Sequence, residues 1–324
     1  MSVDTSETWD RDLAERVTPA PLLQSWAWGE VQSRAGWTVE RLRLASGAMA
    51  SVQVRKAGPA SEVYVPRGPV PATPEAVDAL VDWARAAGAA RIVVEPEVTD
   101  GIRTALEERG FARTSPTQPQ HTRILKLSPP DDLLKSFRHG RRYNIRTGLK
   151  RGVTVEEGKD ADELARQSSA VEKRESIHLP SRQYYELLLD LLPWCRTFTA
   201  RAPESGEPLA TVLVAGHSSR AYSLFAGRSG AHRELMGNDL AWWTALQSAA
   251  EAGCADFDLW GIPPPKAGPA HPWHGLGFFK AEFGGEEVAY VGAWELVLSS
   301  AGARWLKMEG KARAYIRGLK RNIP

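Results

Sequence analysis

Cysteine is scarce in this chain. Its 324 residues include only Cys195 and Cys254, which excludes a disulfide framework and points to a reducing compartment. The seven histidines are scattered; His271-Pro-Trp-His274 has no cysteine or carboxylate at ligand spacing, so it reads as a loop rather than a metal site. No apolar run reaches membrane-spanning length, and the polar start MSVDTSETWDRDLAER is no signal peptide, so a cytoplasmic location is expected. A Walker loop, a dinucleotide fingerprint, GxSxG, HExxH and paired-cysteine spacing are all missing. No two carboxylates stand out as an acid/base couple, and no cofactor is expected.

What is present suits two folded domains. Hydrophobic residues make up 43% and charged residues 25%, enough for a sizeable core, and 12 tryptophans are core or interface anchors by default. A net charge of +2 conceals an asymmetry. Lys135 to Arg151 holds seven basic residues and no acid; Arg304 to Arg321 holds seven basic residues and one acid, Glu309. These two segments carry +13, which leaves −11 on the rest of the chain and points to a polyanionic partner.

Along the chain, helices are expected at Trp26 to Arg34, Pro74 to Ala87, Gly101 to Arg109, Ala161 to Arg174, Ser181 to Leu192 and Leu240 to Ala252. Between them lie strand patterns, among them Thr38 to Leu44, Met49 to Arg55, Arg91 to Glu95, Arg123 to Leu127, Val153 to Glu157, Ala210 to Ala215 and Asp256 to Trp260. The pattern restarts after residue 150. Two α/β domains follow, 1–150 and 151–299, each a sheet covered by helices.

Both basic segments read as helices. Lys135, Arg138, Arg142, Arg146 and Lys150 recur every three or four residues and would share one face, with Leu134, Phe137 and Ile145 on another. Arg141 falls among the apolar positions and breaks the pattern. In the second segment Trp305, Met308, Ile316 and Leu319 oppose Lys307, Lys311, Arg313 and Arg317. A solvated face is the default for one such stripe; two on an acidic chain favour contact with nucleic-acid phosphates. The one other conspicuous cation is Lys280, in Gly275-Leu-Gly-Phe-Phe-Lys280-Ala-Glu-Phe-Gly-Gly285. Poorly solvated, it would bind phosphate, act as a base or stabilise an oxyanion. The alternative is a stem packed on Phe278 and Phe279 with its head in water.

Seven motifs occur in register: Leu23-Gln-Ser-Trp-Ala-Trp-Gly29, Tyr64-Val-Pro-Arg-Gly-Pro69, Val94-Glu-Pro96, Gln118-Pro-Gln-His-Thr122, Arg142-Tyr-Asn-Ile-Arg146, Phe257-Asp-Leu-Trp-Gly-Ile-Pro263 and the Lys280 run. Together they resemble the Fem (FemABX-like) family of aminoacyl-tRNA-dependent peptidoglycan aminoacyltransferases, as a short member without the family's coiled-coil arm. The resemblance implies an α/β chain of twin acetyltransferase-like (GNAT) domains, with helix 300–324 returning to the first. It implies transfer of an amino acid from aminoacyl-tRNA to the side-chain amine of a peptidoglycan precursor, lipid II or UDP-MurNAc-pentapeptide, to build an interpeptide bridge. It also implies peripheral contact with the inner membrane surface through lipid II. Phe279-Lys280 matches the family's pair at the reacting ester, where the lysine would stabilise the oxyanion. Tyr222, Arg182 and Tyr185 fall near acceptor positions; Trp28, Arg67, Asn238 and Trp260 complete the substrate-binding set.

The chain departs from the family near Glu30 and Gln32, where short members carry a lysine for the acceptor's diphosphate. Arg34 or Arg67 would have to substitute, or the acceptor is a different, non-cell-wall amine. A third reading is an acetyl-CoA-dependent N-acetyltransferase. Its glycine-rich pyrophosphate turn would fall at Arg233 to Leu240, which holds one glycine.

Overall fold

Local signals open each element. In this computed structural model, which describes residues 4–175 and 179–321 (side chains through 310, except 170, 171 and 173–175), Thr5 caps helix α1 (Ser6–Arg16) by accepting from Thr8 N at 3.3 Å. Trp9 and Leu13, four apart, are its buried face. Ser25 caps α2 (Trp26–Arg34), accepting from Trp28 N at 3.1 Å. Strands β1 (Thr38–Arg43), β2 (Met49–Ala57) and β3 (Ala60–Arg67) then form an antiparallel meander. Helix α3 (Pro74–Ala86) starts on a Thr73 cap with Pro74 in its first turn, buries Val77, Leu80, Val81 and Ala84, and crosses over to β4 (Arg91–Pro96), parallel to β3. Burial of each of those larger side chains contributes roughly 1.5–3 kcal/mol. Short α4 (Arg103–Glu108) and β5 (Ala112–Arg113) follow.

The second sheet begins with β6 (His121–Lys126). Next come α5 (Pro130–Ser136), α6 (His139–Lys150), β7 (Thr154–Gly158), α7 (Ala161–Glu175) and α8 (Arg182–Leu191). A second meander, β8 (Trp194–Arg201), β9 (Pro208–His217) and β10 (Arg220–Arg228), leads through α9 (Gly237–Glu251) to β11 (Asp256–Gly261), parallel to β10. Then α10 (His274–Ala281) and β12 (Glu286–Ala289) complete that sheet. Finally β13 (Trp294–Val297) and α11 (Ser300–Arg321) belong with the first.

The strand orders are β1-β2-β3-β4-β13-β5 and β12-β6-β11-β10-β9-β8-β7. Each sheet thus has a three-strand meander, a helical crossover to a parallel strand, and an antiparallel strand paired beyond it. In the second sheet that last strand is β6, which comes before the meander; in the first it is β13, from the far end of the chain. The topology is therefore duplicated, and both sheets are mixed, as expected.

One compact unit comprises Met1–Val17, Leu23–Gln118 and Tyr290–Pro324, the other Thr18–Leu22 and Pro119–Ala289. The boundary expected at 150 thus falls near 118, because β6 pairs with β11 and carries α5 and α6 with it. Likewise 290–299 joins the first unit, because β13 pairs with β4. The first core gathers Val63, Val65, Leu80, Ile92, Val94 and Trp294; the second gathers Phe137, Ile145, Phe198, Trp242, Phe257 and Phe283. Both cysteines are free thiols, Cys195 buried and Cys254 half-buried.

Candidate functional site

The site grows from the end of β11. Asp258, fully buried, accepts a hydrogen bond from Thr122 Oγ1 on neighbouring β6 and another from Trp260 N at 2.7 Å. That second bond helps hold Trp260 in a left-handed conformation, φ 62°, at a break in the β6–β11 register. A non-glycine residue there costs on the order of 1–3 kcal/mol, so the surroundings must impose it. Just beyond this turn, the carbonyl of Gly261 accepts from Lys280 Nζ at 2.8 Å.

Lys280 is only 4% exposed. Its ammonium does not reach water along its stem, so the snorkelling alternative is excluded. Burial pulls its pKa down to about 7, while the charge of Asp258 acts in the opposite sense. Nζ also lies 5.9 Å from the centre of the Trp242 ring. A helix places it here, although Gly275 and Gly277 weaken helical preference. Gly277 is required by packing: a Cβ there would lie 2.6 Å from the Pro263 ring. Gly285, φ 74°, plays a similar part in the following turn, where a Cβ would lie 2.5 Å from Ile124 O.

A second buried network holds the same helix. Arg141 on α6 forms an ion pair with Asp239 in the first turn of α9, and its Nη2 donates to Phe279 O at 2.9 Å. Its guanidinium stacks over Phe279 at 4.0 Å and Phe283 at 4.4 Å. Asn144 Nδ2 also donates to Asp239, at 2.9 Å. Phe279 meets Trp242 edge-on at 5.7 Å. Arg141, the residue that broke the apolar stripe, is therefore the tie between α6, α9 and the Phe279-Lys280 pair. That misfit is its only signal in the sequence; Asn144 lies inside the Arg142-Tyr-Asn-Ile-Arg146 motif, and Asp239 has none.

The other expected residues separate into groups. Tyr222 and Trp260 come together edge-on at 5.9 Å, with Tyr222 opposite Asp258 in register. Tyr185 is fully buried against Phe225 and donates its hydroxyl to Ser168 Oγ at 3.0 Å, and burial pushes its pKa up to about 12. Arg182 is exposed and paired with Asp162 and Glu186. Asn238 is half-buried in the first turn of α9. Trp28 and Arg67 lie in the first unit, both buried; Arg67 is left-handed, φ 56°, with its guanidinium 4.4 Å from the Tyr290 ring. Near the position lacking a lysine, Glu30 is bound by Arg41 at 2.7 Å, and Arg41 stacks on Trp26 at 3.6 Å. Gly29 makes room for it, since a Cβ there would lie 2.8 Å from the Arg41 guanidinium.

The first basic stripe is not one helix. Phe137 is extended (ψ 155°) between α5 and α6, so Lys135 and Arg138 do not share a helix face with Arg142, Arg146 and Lys150. Phe137 leaves the helix to bury its ring against Trp243 and Phe283. Lys135 pairs with Asp132 at 3.0 Å, Arg138 approaches Glu282 at 3.8 Å, and Arg142 donates to the carbonyls of Lys135 and Phe137. Arg146 and Lys150 are exposed on α6. In α11, Trp305 and Met308 are exposed, and Leu306 instead packs against Ala57, Ala60 and Ala90. Lys307 is exposed; the side chains of Lys311, Arg313 and Arg317 lie outside the described residues.

The Arg233 to Leu240 turn offers no glycine-rich cradle. Its single glycine, Gly237, is accounted for by packing, since a Cβ there would lie 2.7 Å from Leu209.

Comparison with known proteins bears on this geometry. The family model for the acetyltransferase (GNAT) domain matches residues 135–270, within the second unit. The lipid II:glycine glycyltransferase of Staphylococcus aureus is 31% identical over 160 residues, 42% of this chain and 38% of that relative. The chain thus matches under two fifths of its curated relative's length. The crystal structure of FemX superposes with a TM-score of 0.80 over 95% of this chain and 99% of that one, at 20% identity. The chain therefore shares the fold of FemX along nearly its whole length. A tandem GNAT protein from the clavulanic acid biosynthesis pathway has the same fold at a TM-score of 0.51, with 13% identity over 88% of this chain and 91% of that one. Between β7 and β8, the described residues hold no helical hairpin long enough for a coiled-coil arm: α7 has 15 residues and α8 has 10.

Proposed function

We propose that this protein is a member of the Fem family and transfers an aminoacyl group from aminoacyl-tRNA to the side-chain amine of a peptidoglycan precursor, lipid II or UDP-MurNAc-pentapeptide. The observation that carries the reading is Lys280, a buried ammonium held on a backbone carbonyl within the Phe279-Lys280 pair. The glycyltransferase relative supports the chemical class. In the reaction, the acceptor nitrogen attacks the ester carbon at the tRNA 3′ end and a C–N bond forms. The carbonyl oxygen becomes an oxyanion facing Lys280. The C–O bond to the ribose then breaks, and the ribose oxygen takes the proton released by the amine. The ester is already activated, so alignment and one preorganised cation suffice.

The test is a single-turnover transfer assay with charged tRNAs and purified precursor. Lys280→Met should lower kcat by on the order of a hundredfold or more with little change in KM. With the pKa of Lys280 near 7, the cationic role predicts that the wild-type rate falls as pH rises through that value, a limb absent from Lys280→Met. A rate that rises through the same pH would make neutral Lys280 the base. Near wild-type transfer by folded Lys280→Met would remove the lysine from the chemistry. The acetyl-CoA reading predicts acetylation of an amine without tRNA, which the same assay detects.

A further inference from the structure

Strand β11 leaves its sheet at Asp258. Its last registered pair with β10 is Asp258 with Tyr222, and its register with β6 breaks between Asp258 and Gly261. Such a break frees backbone groups that a buried chain must satisfy another way. Side chains take three of them. Ser223 Oγ donates to Leu259 O at 2.9 Å, Asp258 accepts from Trp260 N at 2.7 Å, and Lys280 Nζ donates to Gly261 O at 2.8 Å. The carbonyl that holds Lys280 therefore follows directly on the turn that Asp258 closes.

Shape alone does not account for this aspartate. The bonds it accepts from Thr122 and Trp260 both land on Oδ1, and an asparagine oxygen would serve the turn as well. Asp258 is 1% exposed, and a carboxylate so placed is costly unless a cation offsets it. Its charge is the one that opposes the desolvation of Lys280. Charged groups on the neighbouring elements are engaged with one another: Arg141 with Asp239, Arg138 with Glu282, Arg123 with Glu287. His121 on β6 also feels Glu287, and Tyr222 on β10 brings a phenol whose ring meets Trp260.

We infer that Asp258 is a positioning residue for the transfer: through the Trp260 turn it aims the Gly261 carbonyl at Lys280 Nζ, and its carboxylate is the counter-charge of the buried ammonium. This role deepens the proposed reaction and rests on it for the meaning of the rate. Asp258 touches no reacting atom; it acts through Lys280, keeping the cation in place for the oxyanion.

Asp258→Asn separates charge from shape. Lysine labelled with 13C at Cε reports Lys280 directly, as the resonance absent from Lys280→Met. In wild type it should titrate at about 7. In Asp258→Asn the midpoint should move down by on the order of one unit. The falling limb of the transfer rate should move with it, lowering kcat several-fold near pH 7 with little change in KM, and the two rates should converge toward about pH 5. A residue that only shapes the turn predicts an unmoved midpoint and one rate ratio at every pH, and that result overturns the inference. Melting gives a reading that does not require Asp258→Asn to fold well. If the two charges are partners, removing the ammonium should help the Asp258→Asn chain more than it helps wild type. At pH 6, Asp258→Asn/Lys280→Met should therefore melt above Asp258→Asn by a larger margin than Lys280→Met gains over wild type. Equal margins, or a double variant that fails to fold as the single does, overturn the inference. A wild-type chain that transfers nothing would sink the proposed reaction, while titration and melting still decide the role of Asp258.

Discussion

A lysine buried with one hydrogen bond is a thermodynamic cost to the fold. Lys280 titrates near 10.5 when unfolded and near 7 when folded. Between those values the unfolded chain holds a proton that the folded chain has released, so stability rises with pH across that window. Below about pH 7 both states hold the proton and the full desolvation cost applies. Lys280→Met should therefore raise stability at pH 6–7 by on the order of a few kcal/mol, less about 1 kcal/mol for the lost bond to Gly261 O. The gain should shrink toward pH 10. Denaturant melts across pH check both sign and window; a destabilised Lys280→Met at pH 6 would contradict the buried-ammonium account. A buried charge that costs the fold stability is the pattern expected of a working site.

At the scale of elements, helices fall where the sequence places them when caps and periodicity agree. The limits of α2 matched to the residue, and α3 to within one. Tertiary burial overrides local preference elsewhere. The stripe from Lys135 to Lys150 has helical spacing throughout, but Phe137 leaves the helix for the aromatic core. Conversely, α10 forms across two glycines, of which Gly277 is needed because Pro263 fills the space a Cβ would take. The tie between α6, α9 and α10 is the Arg141–Asp239 pair. Arg141→Met leaves Asp239 buried with Asn144 alone and should destabilise by about 3–5 kcal/mol. Arg141→Met combined with Asp239→Leu removes the orphaned charge and should recover a large part of that loss. Chemical denaturation of the two singles and the double measures the coupling; additive losses would mean that the pair is not a unit.

On the scale of the whole molecule, charge and topology are both divided unevenly. The +13 in two segments stands against −11 elsewhere, but the structure removes several of those cations from service. Lys135 is paired and Arg142 caps the α5–α6 turn, so neither is a clean reporter of phosphate contact. Arg146 and Lys150 are exposed and better suited. Arg146→Glu/Lys150→Glu should weaken tRNA binding and reduce the slope of log affinity against log salt by about two. Filter binding from low to high salt checks it; an unchanged slope would make α6 a solvated face. The duplicated sheets raise a different point. Each is completed by a strand placed differently in the chain, β6 before its meander and β13 far after.

The sequence by itself determined the alternation of strands and helices, the concentration of basic charge, and the motifs that mark Lys280. These are local matters of spacing, capping and composition, carried by neighbours in the chain. Only the tertiary structure decided which strand completes which sheet, that Lys280 is buried rather than snorkelling, and that Arg141 belongs to its support. Desolvation and ion pairing depend on groups far apart in sequence. Lys280 meets Gly261 across 19 residues, and Arg141 meets Asp239 across 98. No periodicity encodes such a meeting, because the cost of burying a charge is set by everything that packs around it.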